Sequence, residues 1–150
     1  MTPMTSDLHD AVAARIKTAE GRYTRSRRLL VEVLLAAGQP LTVEEIAESG
    51  HLPLSSVYRN LAVLEDRGLV HRLAGHGDFA RFELTEELVG HHDHLVCAIC
   101  GAMTDVDLPP DLEKAFERAL AALAARTGFE LGSHRIDAIG RCSECVRLGR

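Results

Sequence analysis

Residues 55–84, SSVYRNLAVLEDRGLVHRLAGHGDFARFEL, carry the decision about the fold. In the first half, Val57, Leu61 and Leu64 fall at helical spacing behind Ser55 or Ser56 as N-cap, and Gly68 closes the helix. The second half reads as two strands, Leu69 to Leu73 and Phe79 to Leu84. They are joined across Gly75-His76-Gly77-Asp78, a hairpin turn signal. Upstream, Leu8, Val12 and Ile16 form a helical stripe that Gly21 interrupts. Thr24 then caps a helix carrying Leu29, Leu30, Val33 and Leu34, which Gly38 and Pro40 stop. Thr42 with Glu45 reads as a capping box opening a short helix through Glu48.

Helices followed by a two-stranded hairpin is the winged helix-turn-helix order. Ser55, Ser56, Tyr58, Arg59 and Asn60 occupy the first turns of its last helix, where a recognition helix meets bases and phosphates. Arg can fork onto guanine, Asn onto adenine, and a Tyr ring can pack on a thymine methyl. Between Arg15 and Arg28 stand six basic residues and one acid, whereas the whole chain carries a net charge of −5. A local basic segment on an acidic protein suits a docking face rather than indiscriminate nucleic-acid coating. The bland alternative is a small α/β domain with no nucleic acid, which leaves the polar helix unexplained.

After Glu86-Glu87 and Gly90 the composition changes, so the expected organisation is a winged-helix domain over 1–86, a hinge at 87–90 and a second domain over 91–150. Glu86 and Glu87 read as a solvated linker, and His9 and His51 as surface residues. The second domain reads as strands at His94 to Val96 and Ala102 to Leu108, then a helix from Pro109-Pro110-Asp111 to Gly128. A strand over Leu131 to Ile139 follows. The expected class is α+β, an N-terminal winged helix-turn-helix followed by a small β-α-β dimerisation domain. That unit is too small to cover its own sheet, and a second copy would do so in a symmetric homodimer.

All four cysteines fall in two pairs, Cys97-x-x-Cys100 and Cys142-x-x-Cys145. Two such turns complete the four-thiolate tetrahedron of a structural zinc. Met1 to Asp10 lacks an apolar core segment and no run approaches the ~20 residues of a membrane span. The expected compartment is the cytoplasm, where reduced thiols favour metal over two disulfides. With aromatics at 4% and no Trp, the core rests on aliphatic residues, and a metal staple helps a small domain of this kind. His91-His92-Asp93-His94 immediately precedes the first pair and adds ligands that a structural zinc does not need. In an extended segment His91 and Asp93 face one side and His92 and His94 the other, so one tetrad can feed two metals.

These residues resemble the ferric uptake regulator family of metal-dependent bacterial transcription factors. The resemblance runs over about residues 20–146. It rests on Gly21-Arg-Tyr-Thr-x-x-Arg27, Ser55-Ser-Val-Tyr-Arg-Asn-Leu61, Gly68-Leu-Val70, Phe82-Glu-Leu84, the run from His91 to Gly101, and the closing Gly-x-Cys-x-x-Cys. It implies a homodimer on a palindromic double-stranded DNA operator, a structural zinc on Cys97, Cys100, Cys142 and Cys145, and regulatory metal near the hinge. Tyr58 and Arg59 match the family's DNA-reading pair, and Arg22 matches a residue that reaches the minor groove, with Tyr23 beside it. Glu83, His92 and His94 match hinge ligands; His91, Asp93, Glu113 and His134 match a second site in the dimerisation domain. The chain departs from the pattern at Gln39-Pro40-Leu41, where many members carry a hinge His. His71 or His76 is the expected substitute, with His71 preferred. The stretch from Glu83 to His92 is about two residues longer than usual, and Glu113 aligns only with one extra residue at Pro109-Pro110.

Imidazole and carboxylate ligands suit iron(II), manganese(II), zinc, nickel or cobalt. A zinc-, manganese- or nickel-sensing member of the family is therefore an alternative to an iron(II) sensor. The resemblance points to iron(II), since zinc-sensing relatives often place a cysteine at the hinge and peroxide-sensing relatives prefer Asp where Glu83 stands. Neutral imidazoles are needed for ligation, so the metal response should weaken below about pH 6. No enzyme is expected. A zinc deaminase wants H-x-E with P-C-x-x-C and an open position. Here no Pro precedes Cys97 and four thiolates close the sphere. A metal buffer or chaperone without DNA contact is the remaining alternative.

Overall fold

A computed structural model describes residues 5–17, 21–74 and 80–150. The N-terminal lobe is built from α1 (Thr5–Lys17), α2 (Arg25–Ala37), α3 (Val43–Gly50), α4 (Leu54–Asp66), β1 (Val70–Ala74) and β2 (Ala80–Leu84). Leu8, Val12, Leu30, Ile46, Val57, Leu61 and Leu64 converge in one aliphatic core. The expected caps form. Thr24 accepts from the Arg27 amide, Gly38 ends α2 in the left-handed region at φ 58°, and Thr42 and Glu45 close a capping box on α3. The cap expected of Ser55 or Ser56 does not: α4 starts at Leu54 with Pro53 as N-cap, two residues ahead of Ser55, and the fixed φ of Pro53 suits a helix entry without a side-chain bond.

β1 and β2 pair antiparallel, with Val70 opposite Leu84 and His71 opposite Glu83. Leu41 exchanges backbone hydrogen bonds with Phe82, adding a one-residue third strand. The turn read at 75–78, including His76, lies outside the described residues. β2 is buried on both faces: Phe82 and Leu84 enter the N-terminal core, while Arg81 and Glu83 are 9% and 8% exposed on the other side. Leu73, opposite Arg81, packs with Val96 and Met103 of the second lobe. The hairpin is therefore the joint between the lobes.

The segment expected to be a bare hinge winds into a short helix, α5 (Glu86–Val89), and its Leu88 belongs to the N-terminal core. Glu86 and Glu87 are not idle: Glu86 Oε1 lies 2.9 Å from His91 Nδ1, and Glu87 pairs with Arg15 at 2.6 Å. Beyond it come β3 (Asp93–Cys97), β4 (Met103–Val106), α6 (Pro110–Thr127), β5 (Asp137–Gly140) and α7 (Ser143–Arg147). The sheet order is β4-β3-β5, with β3 and β5 parallel across the α6 crossover. The strand expected from Leu131 contracts to Asp137–Gly140. The preceding backbone is diverted, since the Ile136 amide donates to Asp93 Oδ1 at 2.9 Å.

His9 is inside the N-terminal lobe. It is 3% exposed rather than a surface residue, with Nδ1 2.6 Å from the Tyr23 hydroxyl and Nε2 3.3 Å from Glu32 Oε1. This pins α1 onto α2. Among the described residues no helix is long and apolar enough to cross a membrane.

Candidate metal centres

Three groups of metal-ligating side chains converge among the described residues, each with its ligand atoms within 4.8 Å of one another. Cys97, Cys100, Cys142 and Cys145 form the first. The β3–β4 turn presents one pair, and the turn from β5 into α7 presents the other. Gly101, at φ 71°, closes the first knuckle by donating its amide to the Cys97 carbonyl. Cys100 and Cys142 sulfurs are 3.7 Å apart, too far for a disulfide bond. Hydrogen bonds from the Cys100 and Cys142 amides pull the Cys97 thiol down to about 6. Such a thiol is ready to ligate as thiolate. The cluster fits a structural zinc.

The second group is Glu83, His92, His94 and Asp105. Glu83 belongs to β2 and the other three to the second lobe, so the group spans the joint. Glu83 Oε2 lies 3.0 Å from both His92 Nε2 and His94 Nε2. The Asp105 carboxylate is 3.9 Å from His92 Nε2 and 3.6 Å from His94 Nε2. The extra residues between Glu83 and His92 are taken up by α5, so the carboxylate reaches. His71, the expected fourth ligand, is exposed and stays outside the group despite its register with Glu83; Asp105 is the fourth member instead. Asp105 lies on β4, and no spacing to the His run marks it in the sequence. Burial alone would raise the Glu83 carboxyl, but hydrogen bonds with His92 and His94 outweigh it and hold it at about 2. The Glu83 bond lifts His92 to about 9, against burial. Burial works against charging His94 as well, yet Glu83 and Asp137 carry it above its ordinary value. Asp137 Oδ1 sits 3.2 Å from His94 Nδ1, which turns Nε2 towards the group.

The third group is His91, Glu113 and His134. His134 Nε2 is 2.7 Å from Glu113 Oε1, and His91 Nε2 is 3.4 Å from the same oxygen. Asp93, expected as a fourth member, stands beside the group rather than in it: its Oδ1 is 3.8 Å from His91 Nε2 and bonds the Ile136 amide. The alternation along 91–94 holds, with His91 in this group and His92 and His94 in the other.

Asp105 Oδ1 in one group and Asp93 Oδ2 beside the other are buried without a hydrogen-bond partner, and the buried Glu113 Oε1 and His134 Nε2 face each other at 2.7 Å out of hydrogen-bond alignment. A buried polar atom left unpaired costs about 1–3 kcal/mol. Such poorly satisfied atoms gathered at two points fit a cation at each.

In the N-terminal lobe, α4 turns Val57, Leu61 and Leu64 inward and leaves Ser55, Tyr58 and Arg59 exposed, with Tyr58 at 57%. Arg22 is exposed as well. Two members of the expected DNA set do other work. Tyr23 aims its hydroxyl at His9 and packs on the core, and burial pushes that hydroxyl up to about 12. Asn60 donates to the Ser56 carbonyl at 2.8 Å and accepts from Arg27 Nε at 3.2 Å. It braces α4 against α2 rather than reaching outward.

Residues 18–139 match the Ferric uptake regulator family. The chain belongs to the ferric uptake regulator family. Its relatives include a ferric uptake regulation protein of Campylobacter upsaliensis, 28% identical over 131 residues, covering 83% of this chain and 80% of the relative. A peroxide-responsive repressor PerR of Staphylococcus epidermidis is 26% identical, with 95% and 93% coverage. Among solved structures, the Helicobacter pylori ferric uptake regulator, described as having three functional metal binding sites, superposes with a TM-score of 0.75. It is 26% identical, with 97% and 95% coverage. The Vibrio cholerae regulator follows at 0.69 and 29%, with 86% and 98% coverage. This chain is thus a metal-responsive regulator of that family, and its described residues gather one four-thiol and two His/carboxylate groups.

Proposed function

We propose that the protein is a transcriptional repressor that binds a palindromic DNA operator as a homodimer when iron(II) is bound, and that it controls metal homeostasis genes in the cytoplasm. The observation that supports this best is Glu83, which reaches from the DNA-binding lobe to His92 and His94 of the other lobe at 3.0 Å. A bound cation would supply a positive centre for these converging lone pairs. Glu83 can share a ligand shell with His92, His94 and Asp105 only at one angle between the lobes. A ligand that prefers one angle shifts the population towards it. In a dimer, that angle sets the separation of the two α4 helices, for which DNA asks about 34 Å.

Dimerisation is supported by α6, an 18-residue helix on which Ala124 alone is buried, and by Leu95 and Ile139 of the sheet, exposed at 52% and 62%. Tyr58 and Arg59 are read as the base-contacting pair and Arg22 as a minor-groove contact. Two imidazoles and two carboxylates, with no thiolate, suit iron(II). Asp105 in place of an imidazole favours manganese(II) as the second reading, since carboxylates suit manganese.

The test is a gel shift after chelation, titrated with iron(II), manganese(II) and zinc, in wild type and His92→Ala. Metal-stimulated operator binding in the wild type, lost in the variant with zinc and dimer intact, is the expected outcome. Binding that ignores metal in both would defeat the reading.

A further inference from the structure

Arg81 is a buried cation that neither the metal groups nor the DNA face uses. It sits two residues before Glu83 on β2, so both side chains leave the same face of the strand towards the second lobe. Its Nε donates to the Gly101 carbonyl at 2.7 Å. Its Nη1 donates to the Pro40 carbonyl at 3.0 Å and to Glu45 Oε2 at 2.9 Å. The same Glu45 oxygen accepts the Thr42 amide at 2.8 Å, closing the capping box that starts α3. Gly101 belongs to the turn that presents Cys97 and Cys100, with its amide on the Cys97 carbonyl. One guanidinium thus touches the cysteine knuckle and the first turn of the helix-turn-helix.

We propose that Arg81 is a positioning residue that couples the cysteine knuckle to the helix-turn-helix, forming a second tie across the lobes beside the Glu83 group. The inference rests on the DNA-binding reading above. A guanidinium is planar and rigid, so it fixes the angles among its acceptors where a flexible ammonium would not. A buried charge is tolerated only where those acceptors are present, so the contact is specific to one lobe arrangement. The Glu83 tie depends on the hinge ligands. The Arg81 tie depends on the shape of the Cys97–Gly101 turn, so a change at the four-thiol site reaches α3 without passing through the hinge.

The experiment compares full-length wild type, Arg81→Gln, Arg81→Lys, Glu45→Gln and the Arg81→Gln/Glu45→Gln double variant, zinc-loaded and saturated with manganese(II). Arg81→Gln should keep its zinc and its dimer mass, with manganese(II) held at saturation. Its affinity for the operator that the wild type binds should fall by ~tenfold or more, as expected for lost charge-assisted hydrogen bonds. Amide exchange should quicken together at 42–46 and at 97–102. Arg81→Lys should fall between, and the double variant should be no worse than Arg81→Gln. Exchange that quickens in only one segment, or wild-type operator affinity in Arg81→Gln, overturns the proposal. Should Arg81→Gln fail to fold, Glu45→Gln decides: unchanged exchange at Gly101 overturns the coupling. If the wild type lacks metal-dependent DNA binding, the functional reading fails, while the exchange data still judge Arg81.

Discussion

Replacing Glu83 with Gln keeps the size of the side chain and removes its charge, and the structure fixes how the damage should vary with pH. In the metal-free protein His92 is raised from 6.5 to about 9, first by its hydrogen bond to Glu83, with the Gly90 carbonyl and Asp105 adding to it. The whole interval is therefore an upper bound on what Glu83 supplies. A raised histidine contributes stability that is fully present below the unfolded value of 6.5 and is lost as pH climbs through about 9. Glu83 is lowered from 4.5 to about 2, so its contribution is present above 4.5 and is lost as pH falls towards 2. The two shifts describe one pair and count once. At ~1.36 kcal/mol per pH unit, the interval from 6.5 to 9 is worth about 3 kcal/mol, and both side chains are nearly buried, at 11% and 9% exposure. Glu83→Gln should therefore lose up to about 3 kcal/mol at pH 6 and up to about 2 kcal/mol at pH 7.5. At pH 10 the wild type holds a buried carboxylate between neutral imidazoles, so the variant should be as stable or more so. Urea unfolding at fixed protomer concentration, with a chelator that spares the thiol site, measures this. The titrations of tyrosines and thiols cancel in the difference. An equal loss at pH 6 and pH 10 would refute the charge argument and leave packing as the role of Glu83.

Asp105→Ala should weaken regulatory metal binding by tenfold or more (about 1.4 kcal/mol), whereas His71→Ala should leave it unchanged; competition with a chromophoric chelator ranks the two. The same assay run against pH should show affinity rising up to about 9, because the proton on His92 must leave before the ring can ligate; a plateau above 6.5 contradicts the Glu83–His92 pair. Cys97→Ser should lose zinc and the dimer together, read by elemental analysis and sedimentation, and a zinc-free dimer of normal stability would separate the two. Arg59→Ala should cost about 1–3 kcal/mol on specific DNA, and an equal loss on random sequence would mark it as a phosphate contact.

Local chemistry was legible in the sequence wherever neighbours along the chain decide it. Thr24, Gly38 and the Thr42–Glu45 box cap helices where the pattern says, because caps are bonds over three or four residues. The cysteine pairs and the 91–94 alternation likewise carry their own geometry. What escaped depends on contacts between distant segments. Asp105 joins the hinge group because β4 pairs with β3 in a register that sets it opposite His94. His9 is buried because α1 folds back on Tyr23 and Glu32, a contact 14 and more residues away. Asn60 and Tyr23 look like DNA-reading residues by position, yet both spend their polar atoms inside the lobe. The Leu131–Ile136 stretch alternates like a strand, but His134 turns to Glu113 and the Ile136 amide to Asp93, so pairing begins only at Asp137.

The alternation Arg81-Phe82-Glu83-Leu84 is the most misleading of these signals, and the reason is instructive. Apolar and charged residues taking turns along a strand ordinarily mean one face in the core and one in water. Here the charged face is closed by the second lobe, and both charges are nearly buried. Burying a charge is unfavourable unless its partners are supplied, and the partners of Arg81 and Glu83 come from four separate elements and turns. An apolar joint would tolerate sliding, since one methyl contact is much like another. A joint made of two buried charges has few acceptable angles, because each donor must meet its acceptor. A slip of one residue in β2 would turn Arg81 and Glu83 into the N-terminal core and Phe82 and Leu84 onto the joint, so register and lobe angle are specified together. If the output is the angle of α4, as proposed above, that coupling is the physical reason to spend charged residues where the sequence pattern promises a solvated face.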